Sequence, residues 1–371
     1  MSTTDEHYHE AIRNMAAKLL HFLRAFEAAQ EEIHLAHVAE SQTRLREAVG
    51  ESFPALPAKL AALSAPASLQ AFHAHLSEAV VCFADAYALF VSNSSGPQFG
   101  QRFVNSRQAL CRGLYRLYPL RAQFPPLQPY WVLPAGSSAP VEPEPTPQED
   151  TVPVGFIHKD SGNWRAEYSL YVPEYYTSRQ RWPLIVCLHG GFGHGDEYIW
   201  TWLRPAKSKG YLLLSPKSLG PTWSVLTPAL DIRSIQAMLD DVLATYAVDR
   251  ARIYLTGLSD GGIFTYLLGL ARPELFAGIA PVAGQMHSLV DTLLRHGRGK
   301  ALPIFVVHGA QDYIFPVAFT RQTCNLLTRL GYNVTYEELP DWGHAYTYTI
   351  NEQLVLPWFE SLGVRSAGAT R

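Results

Sequence analysis

The sequence predicts an α/β domain preceded by an all-helical bundle, and three features of the 371-residue chain lead to this prediction. Residues 1–131 carry apolar side chains at helical spacing. Residues 134–153 are rich in proline and acidic residues, have almost nothing to bury, and are typical of an extended linker. From residue 154 onward, short apolar strands alternate with helical stretches, which favours a mainly parallel sheet covered on both faces. The expected organisation is therefore a bundle over 1–131, a linker over 132–153 and an α/β domain over 154–371.

The bundle is expected to contain three or four antiparallel helices. Apolar residues recur every seven positions in the first helix, namely Ile12, Leu19, Phe26 and Ile33. Pro54 and Pro57 break the pattern, and residues 68–91 and 102–120 read as two further helices joined by a turn at 93–96. Such a bundle can form a homo-oligomer, cap an active site or dock a partner, and the first two roles are favoured.

Two histidines in the bundle, His34 and His37, lie three residues apart and can share one face of a helix. A metal site needs further ligands nearby, and their placement is not readable from the sequence. Surface or capped histidines are the favoured interpretation, and no metal is predicted.

The second part of the chain is expected to contain seven strands, over residues 165–172, 184–189, 211–215, 252–256, 278–282, 304–308 and 335–339. Helices are expected between several of them, over 231–246, 262–271, 317–330 and 351–362. In an open parallel sheet, ligands bind beyond the carboxyl ends of the strands. The loops that follow the strands are therefore expected to hold the chemistry.

Composition and charge exclude several classes of function. The net charge of −3 gives no basic field for nucleic acid or an anionic membrane. The first residues lack a basic segment followed by an apolar one, and no uninterrupted apolar run approaches the roughly 18–20 residues that span a bilayer. The four cysteines are scattered without paired spacing, which is typical of free thiols in a reducing compartment. We therefore expect a cytoplasmic protein without a nucleic-acid or membrane partner.

The most informative stretch is Gly257-Leu258-Ser259-Asp260-Gly261, between a predicted strand and a predicted helix. G-x-S-x-G in this position is the nucleophile-elbow pattern. Side chains at 257 and 261 would collide with neighbouring backbone in so tight a turn, and the turn raises Ser259 above the sheet at a helix N-terminus, where negative charge is favoured. A turn without chemical function is the alternative, but the flanking strand and helix favour a nucleophile.

A second loop, over residues 189–195, reads HGGFGHG after an apolar strand. It fails the dinucleotide-binding pattern because Asp196 occupies the third glycine position, and it lacks the Gly-Lys-Ser/Thr of a phosphate-binding loop. What remains is a glycine-rich turn whose backbone N–H groups can face an open space, which is the chemistry of an oxyanion hole.

A serine nucleophile needs a base, and the base needs an acid that orients it. In the chain order typical of this architecture, the acid follows the serine and the histidine comes last. Asp312 lies just past a buried strand, and His344 lies in the loop before the last helix. Asp341 is the main alternative acid, but it is only three residues from His344 in the same loop.

The other candidate residues are weaker. His308 is expected to anchor the loop that carries Asp312, and His189 is expected to be structural. His287 and His296 fall in or near a helix, an unfavourable place for the base. The side chain of Asp260 is expected to point away from the serine, although its backbone N–H can serve the reaction.

The motifs LHGG, GLSDGG, VVHGAQDYIFP and DWGH, in this order, resemble the α/β-hydrolase superfamily over roughly residues 160–363. The closest likeness is to phospholipase/carboxylesterases, feruloyl esterases and polyhydroxybutyrate-depolymerase-like proteins. The resemblance implies a serine carboxylic ester hydrolase with the triad Ser259, Asp312 and His344, and with N–H donors from Gly191 and Asp260. Acyl transfer to water by such residues needs no metal and no organic cofactor. The N-terminal bundle departs from the compact esterases, and the doubled glycine also occurs in peptidases of the prolyl-oligopeptidase type.

Aromatic residues crowd the same loops and are candidates for an apolar cleft, although packing of the loops is an equal alternative for each: Phe192, Trp223, Tyr313, Phe315, Trp342 and Tyr346. The segment 211–231 has no long insertion that would make a large lid. We therefore expect small or aryl and short-acyl esters as substrates. A serine peptidase and a non-catalytic interaction protein on a hydrolase scaffold are the alternatives.

Overall fold

The computed structural model describes residues 3–34, 37–92, 96–134, 152–160 and 167–368. The chain divides into two compact units, Met1–Pro134 and Ala135–Arg371. Most of the predicted linker over 132–153 lies outside the described residues, as do most of the predicted turn at 93–96 and the start of the strand predicted at 165–172.

The described part of the first unit is all-helical, as predicted. Its helices are α1 Thr3–Glu31, α2 Val38–Val49, α3 Leu56–Ala61, α4 Gln70–Val91, α5 Gly96–Leu117 and α6 Gln128–Trp131. Three are long, as expected, but α2, α3 and α6 were not foreseen. Pro57 lies in the first turn of α3, where the missing N–H costs no hydrogen bond, so a residue taken as a helix breaker begins a helix.

The core of this first unit is built from the apolar faces of the long helices. Phe22 stacks on Phe53 with ring centroids 4.2 Å apart, and Phe26 and Phe90 meet edge to face. His37 contacts Glu40 at 3.1 Å on the surface, and its ring lies 5.2 Å from that of His34. Among the described residues, no group of three His, Cys, Asp or Glu side chains is placed to hold a metal.

One described helical segment, Ala67–Val91, is long and apolar enough to cross a membrane by length and composition alone. The sequence analysis did not anticipate it. Phe72, Leu76, Val80 and Phe83 of this segment are buried in the bundle. Packing in the bundle core therefore accounts for the apolar character at these four positions, while 39% of the most apolar part of the segment is buried.

The second unit contains a sheet whose described strands are β1 Gly155–Lys159, β2 Tyr168–Val172, β3 Trp182–Leu188, β4 Leu212–Pro216, β5 Val248–Leu258, β6 Gly278–Val282, β7 Ile304–Gly309 and β8 Val334–Leu339. Their order is β1-β2-β4-β3-β5-β6-β7-β8. The strands β4, β3 and β5 to β8 pair in parallel, while β1 and β2 add an antiparallel edge. The prediction of a mainly parallel sheet is confirmed.

Strand β1 was missed because it is a half-exposed edge strand with a weak apolar pattern. The central strand β3 is buried along its whole length, which is why its sequence is a nearly continuous apolar run.

Helices of the second unit cover the sheet. They are α7 Gly195–Tyr198, α8 Leu203–Lys209, α9 Ala229–Thr245, α10 Asp260–Ala271, α11 Val290–Arg295, α12 Val317–Arg329, α13 Tyr348–Ile350 and α14 Leu356–Gly368, with a π-helical turn at Asn351–Val355 between the last two. The four predicted helices are confirmed with shifted ends. The short α7 and α8 were not foreseen.

Candidate active site

Ser259 lies in the sharp turn between the end of β5 and the start of α10. Its backbone has φ 58° and ψ −120°, a left-handed conformation that is rare and strained for a residue other than glycine. The turn is held by a 3.0 Å hydrogen bond from the Ser259 N–H to the Val282 carbonyl and by one of 2.9 Å from the Ile263 N–H to the Ser259 carbonyl. Strain concentrated at one residue of an otherwise regular strand–helix unit indicates a functional position.

The glycines on either side of Ser259 are required by close backbone contacts, as the sequence predicted. A Cβ on Gly261 would lie 2.5 Å from the carbonyl oxygen of His189. A Cβ on Gly257 would lie 2.5 Å from the carbonyl carbon of Gly261. Both distances are shorter than real Cβ atoms tolerate, so the helix start and the neighbouring strand ends can approach only through glycine.

The second glycine of the pair has a packing function of its own. A Cβ on Gly262 would lie 2.7 Å from the Val282 carbonyl oxygen and 3.0 Å from the Cα of Gly284, in the loop after β6. Close packing of α10 against this loop therefore accounts for the doubled glycine. Gly262 consequently carries no separate argument for a peptidase.

Three polar side chains from separate loops form a continuous hydrogen-bonded series. The His344 Nε2 lies 2.9 Å from the Ser259 Oγ, and the His344 Nδ1 lies 2.8 Å from the Asp312 Oδ2. A proton on Nδ1 that is donated to the carboxylate leaves Nε2 free to accept the serine proton. The arrangement can therefore activate the hydroxyl by general-base chemistry.

The Asp312 carboxylate is buried and fully engaged. Its Oδ1 accepts hydrogen bonds of 2.8 Å from the N–H groups of Ile314 and Phe315. Burial by itself raises the pKa of this carboxyl, but the hydrogen bond and charge of His344, together with the two N–H donors, outweigh it and lower the pKa below the ordinary 3.8. Asp312 is thus the ionised partner of His344, and the exposed Asp341 does not take this place.

His308 supports the same loop, as expected from the sequence. Its Nε2 lies 2.8 Å from the Phe315 carbonyl and its Nδ1 lies 3.1 Å from the Thr320 hydroxyl. Burial lowers its pKa, which favours a neutral ring that donates from Nε2 and accepts at Nδ1. His308 therefore fixes the loop between β7 and α12.

The glycine-rich loop after β3 runs beside Ser259. A Cβ on Gly190 would lie 3.5 Å from the Ser259 Cβ, so the two backbones are neighbours. The Gly193 N–H closes a turn onto the Gly190 carbonyl at 3.1 Å, and the Phe192 N–H donates to the Pro221 carbonyl at 2.9 Å. Within this turn, the N–H of Gly191 donates to no described residue and is available to a ligand.

His189 anchors the base of this loop. Its Nδ1 donates to the Gly190 carbonyl at 2.7 Å and its Nε2 accepts from the Ser218 N–H at 3.1 Å. Burial lowers its pKa to about 4, so the ring is neutral at pH 7. The expectation that His189 is structural rather than a base agrees with these contacts.

The low pKa of His189 predicts acid-sensitive folding. The unfolded histidine binds a proton near pH 6.5, whereas the folded one binds it only near pH 4, so stability falls as the pH drops from 6.5 towards 4. The loss from this group amounts to about 3 kcal/mol when complete. The free energy of unfolding is measured by urea titration between pH 6.5 and pH 4. H189N is expected to lose the dependence on pH that comes from this group, while H296N, which changes an exposed histidine, keeps it. Parallel slopes for the wild type and H189N would contradict the assignment.

The aromatic residues predicted to line a cleft are placed unequally. Phe192 is 74% exposed beside the glycine-rich loop. The rings of Phe315 and Tyr313 approach that of His344 edge to face, with centroids 5.6 and 6.2 Å away, and Tyr313 donates to the His344 carbonyl. Trp342 is half-buried in the loop before His344, as is Tyr346 two residues after it.

Trp223 does not fit the prediction of a cleft residue. It is only 2% exposed, donates from Nε1 to the His189 carbonyl at 2.8 Å, and stacks on Phe264. It therefore packs the loop after β4 against α10 instead of facing a substrate. Two exposed apolar residues near these loops were missed, Leu226 (80% exposed) and Ile314 (47%), because an isolated apolar residue in a loop carries no pattern.

The arrangement is typical of an α/β hydrolase with a serine nucleophile. It combines the observed sheet order, a strained serine between β5 and α10, and a carboxylate–imidazole–hydroxyl series beyond the strand ends.

Comparisons with known proteins agree with this class. Residues 230–354 match the Phospholipase/Carboxylesterase family model. The chain is 25% identical over 167 residues to a probable feruloyl esterase C of Aspergillus niger, which covers 43% of this chain and 58% of that protein. It is 30% identical over 146 residues to feruloyl esterase B of Talaromyces funiculosus, covering 36% of this chain and 39% of that protein. The chain thus spans about half the length of these relatives.

Among solved structures, a thermostable esterase is 26% identical with a TM-score of 0.46, covering 56% of this chain and 62% of that one. An acetyl xylan esterase of Aspergillus awamori is 16% identical with a TM-score of 0.46, covering 55% of this chain and 99% of that one. The second unit has the α/β-hydrolase fold. The two relatives named above are feruloyl esterases by description, and the two solved structures are described as esterases.

Proposed function

We propose that this protein hydrolyses carboxylic esters through an acyl-enzyme formed on Ser259. The single observation that carries the proposal is the hydrogen-bonded series from Asp312 through His344 to Ser259, at 2.8 and 2.9 Å. This series is the arrangement that nucleophilic acyl transfer needs. The likeness to feruloyl esterases supports an ester as the substrate.

In the proposed reaction, His344 takes the Ser259 proton through Nε2 as the oxygen attacks the ester carbonyl. The ionised Asp312 holds the imidazole with its Nδ1 proton directed at the carboxylate and stabilises the imidazolium that forms. The N–H groups of Gly191 and Asp260 stabilise the tetrahedral oxyanion. His344 then protonates the leaving alcohol, and water repeats the sequence to release the acid and restore Ser259.

A neutral apolar ester is the proposed substrate class, with an aryl or short acyl group. The rings of Tyr313 and Phe315 lie beside that of His344. Further apolar surface is available on the same group of loops from Phe192, Ile314 and Trp342. The loops meant here run from the end of each strand, β3 to β8, to the start of the next helix. Among the described residues of these loops, the one lysine, Lys217, pairs with Glu167 at 3.8 Å, and no arginine is present. These loops therefore supply no unpaired cation that favours an anionic acyl group.

A panel of matched esters and amides tests the proposal. We expect p-nitrophenyl acetate, p-nitrophenyl butyrate and methyl ferulate to be hydrolysed, with kcat/KM at least about tenfold above that of the corresponding p-nitroanilides, because expulsion of an amine depends more strongly on acid catalysis. Equal or faster turnover of the amides would favour the peptidase alternative. The doubled glycine does not favour the peptidase, because close packing of Gly262 on Val282 and Gly284 accounts for it.

The role of the helical unit in oligomerisation or capping stays a prediction, as do the cytoplasmic location and the absence of nucleic-acid and membrane partners. The solution mass of the full chain, compared with that of a chain beginning at residue 151, decides whether the helical unit oligomerises.

A further inference from the structure

The side chain of Asp260 connects two loops on either side of the nucleophile. Its Oδ2 accepts a hydrogen bond of 2.5 Å from the Thr222 hydroxyl, in the loop after β4. The same oxygen lies 2.5 Å from the position that a Cβ on Gly191 would occupy, so the carboxylate rests against the backbone of Gly191. The carboxylate thus contacts both the loop that carries Thr222 and the loop that carries Gly191.

The loop that carries Thr222 is itself firmly held. Asp231, buried in the first turn of α9, accepts hydrogen bonds of 2.9 Å from the Leu219 N–H and 2.7 Å from the Ser224 N–H. These two bonds bracket Thr222 in sequence. The Thr222 hydroxyl is therefore a donor in a fixed position. Its hydrogen bond can hold the Asp260 carboxylate in place against Gly191.

Gly191 is held in part through its neighbours, because the Gly190 carbonyl, in the same peptide unit as the Gly191 N–H, accepts hydrogen bonds from the Gly193 N–H at 3.1 Å and from the His189 Nδ1 at 2.7 Å. It has no side chain, and its own N–H bonds to no described residue, while an effective oxyanion donor lies about 2.7–3.1 Å from the oxyanion. The neighbouring bond from the Phe192 N–H to the Pro221 carbonyl joins the same two loops, and a group that packs on Gly191 acts on its position in addition to these bonds. The group that packs on it is the Asp260 carboxylate.

We propose that Asp260 is a positioning residue, which uses its hydrogen bond from Thr222 and its contact with Gly191 to hold the Gly191 N–H where the oxyanion forms. This inference rests on the proposed esterase function. The hydrogen bond, and not the negative charge, is the useful component, because a charge beside a developing oxyanion would oppose its formation. An asparagine at 260 keeps an acceptor for Thr222 and removes the charge.

Four variants test this proposal with p-nitrophenyl acetate. We expect T222V and D260A each to lower kcat by about tenfold with KM changed less than about twofold, because a displaced donor weakens the transition state more than the ground state. The double variant T222V/D260A should be no slower than either single variant, since both break one contact. D260N should recover most of the rate that D260A loses.

Thr227→Val is the matched control, since Thr227 lies in the same segment on the exposed surface, and it should behave as the wild type. Unchanged kcat in T222V, additive losses in the double variant, or a D260N variant as slow as D260A would overturn the positioning role. The rate at which a fluorophosphonate labels Ser259 separates this failure from that of the proposed function. A labelled, active wild type with an unaffected T222V removes only the positioning role, whereas an unlabelled, inactive wild type removes both.

Discussion

Replacement of Ser259 by alanine is expected to lower the turnover of p-nitrophenyl acetate by about 10⁵-fold or more. The Ser259 hydroxyl is the group proposed to form the acyl-enzyme, and a residual rate is expected from bound water and the N–H donors. Steady-state kinetics and fluorophosphonate labelling measure the loss. The turnover of H344A should be lower than that of the wild type by a similar factor. The turnover of S259A/H344A should be no lower than that of either single variant, because the two side chains act as one unit.

Ser288→Ala is the matched control for this experiment. Ser288 is an exposed serine in the loop after β6 and should be dispensable. Circular dichroism should show that S259A is folded. Alanine is as restricted as serine at a φ of 58°, so the substitution does not relieve the backbone strain. Turnover by S259A at the wild-type level would contradict the assignment of the nucleophile.

Replacement of Gly261 by alanine is expected to cost about 3 kcal/mol of stability and about 100-fold in kcat. The new Cβ would meet the carbonyl oxygen of His189 at 2.5 Å, which is backbone and cannot move aside as a side chain would. Either α10 or the end of β3 must shift, and the shift displaces Ser259 from the Gly190 and Gly191 backbone. Urea denaturation followed by tryptophan fluorescence measures the first effect and ester turnover the second.

Gly363→Ala is the matched control, in a helix of the same unit. A Cβ there would meet its nearest atoms, the Arg252 Cδ and the Tyr254 hydroxyl, at an ordinary 3.6 Å. Alanine is favoured over glycine within a helix, so G363A should be neutral or stabilising by roughly 0.5–1 kcal/mol. If G261A were as stable and as active as G363A, the close approach of α10 to the strand ends would not be required.

The sequence determined the features of this protein that depend on local pattern. Strands β3 and β6 are continuous apolar runs between turn residues, and α10 follows a glycine-flanked serine, so both element type and site position could be read from neighbours along the chain. The order of Ser259, Asp312 and His344 could be predicted because parallel strands bring the ends of distant segments to one edge. Edge strand β1 and the short helices were missed, since half-exposed or brief elements leave little apolar periodicity.

Only the tertiary structure decided what the individual loop residues do. Trp223 and Phe192 are equally aromatic in sequence, yet one is buried on Phe264 and the other is 74% exposed, because burial depends on what lies across the loop. The sequence already favoured Asp312 over Asp341, and the tertiary structure adds the 2.8 Å distance from the Asp312 Oδ2 to the His344 Nδ1. The Asp260–Thr222 bond joins residues 38 apart in sequence, and Gly262 is explained by Gly284 on another loop. Such contacts depend on how the ends of the strands pack against one another, and the sequence pattern of a single segment does not contain that information.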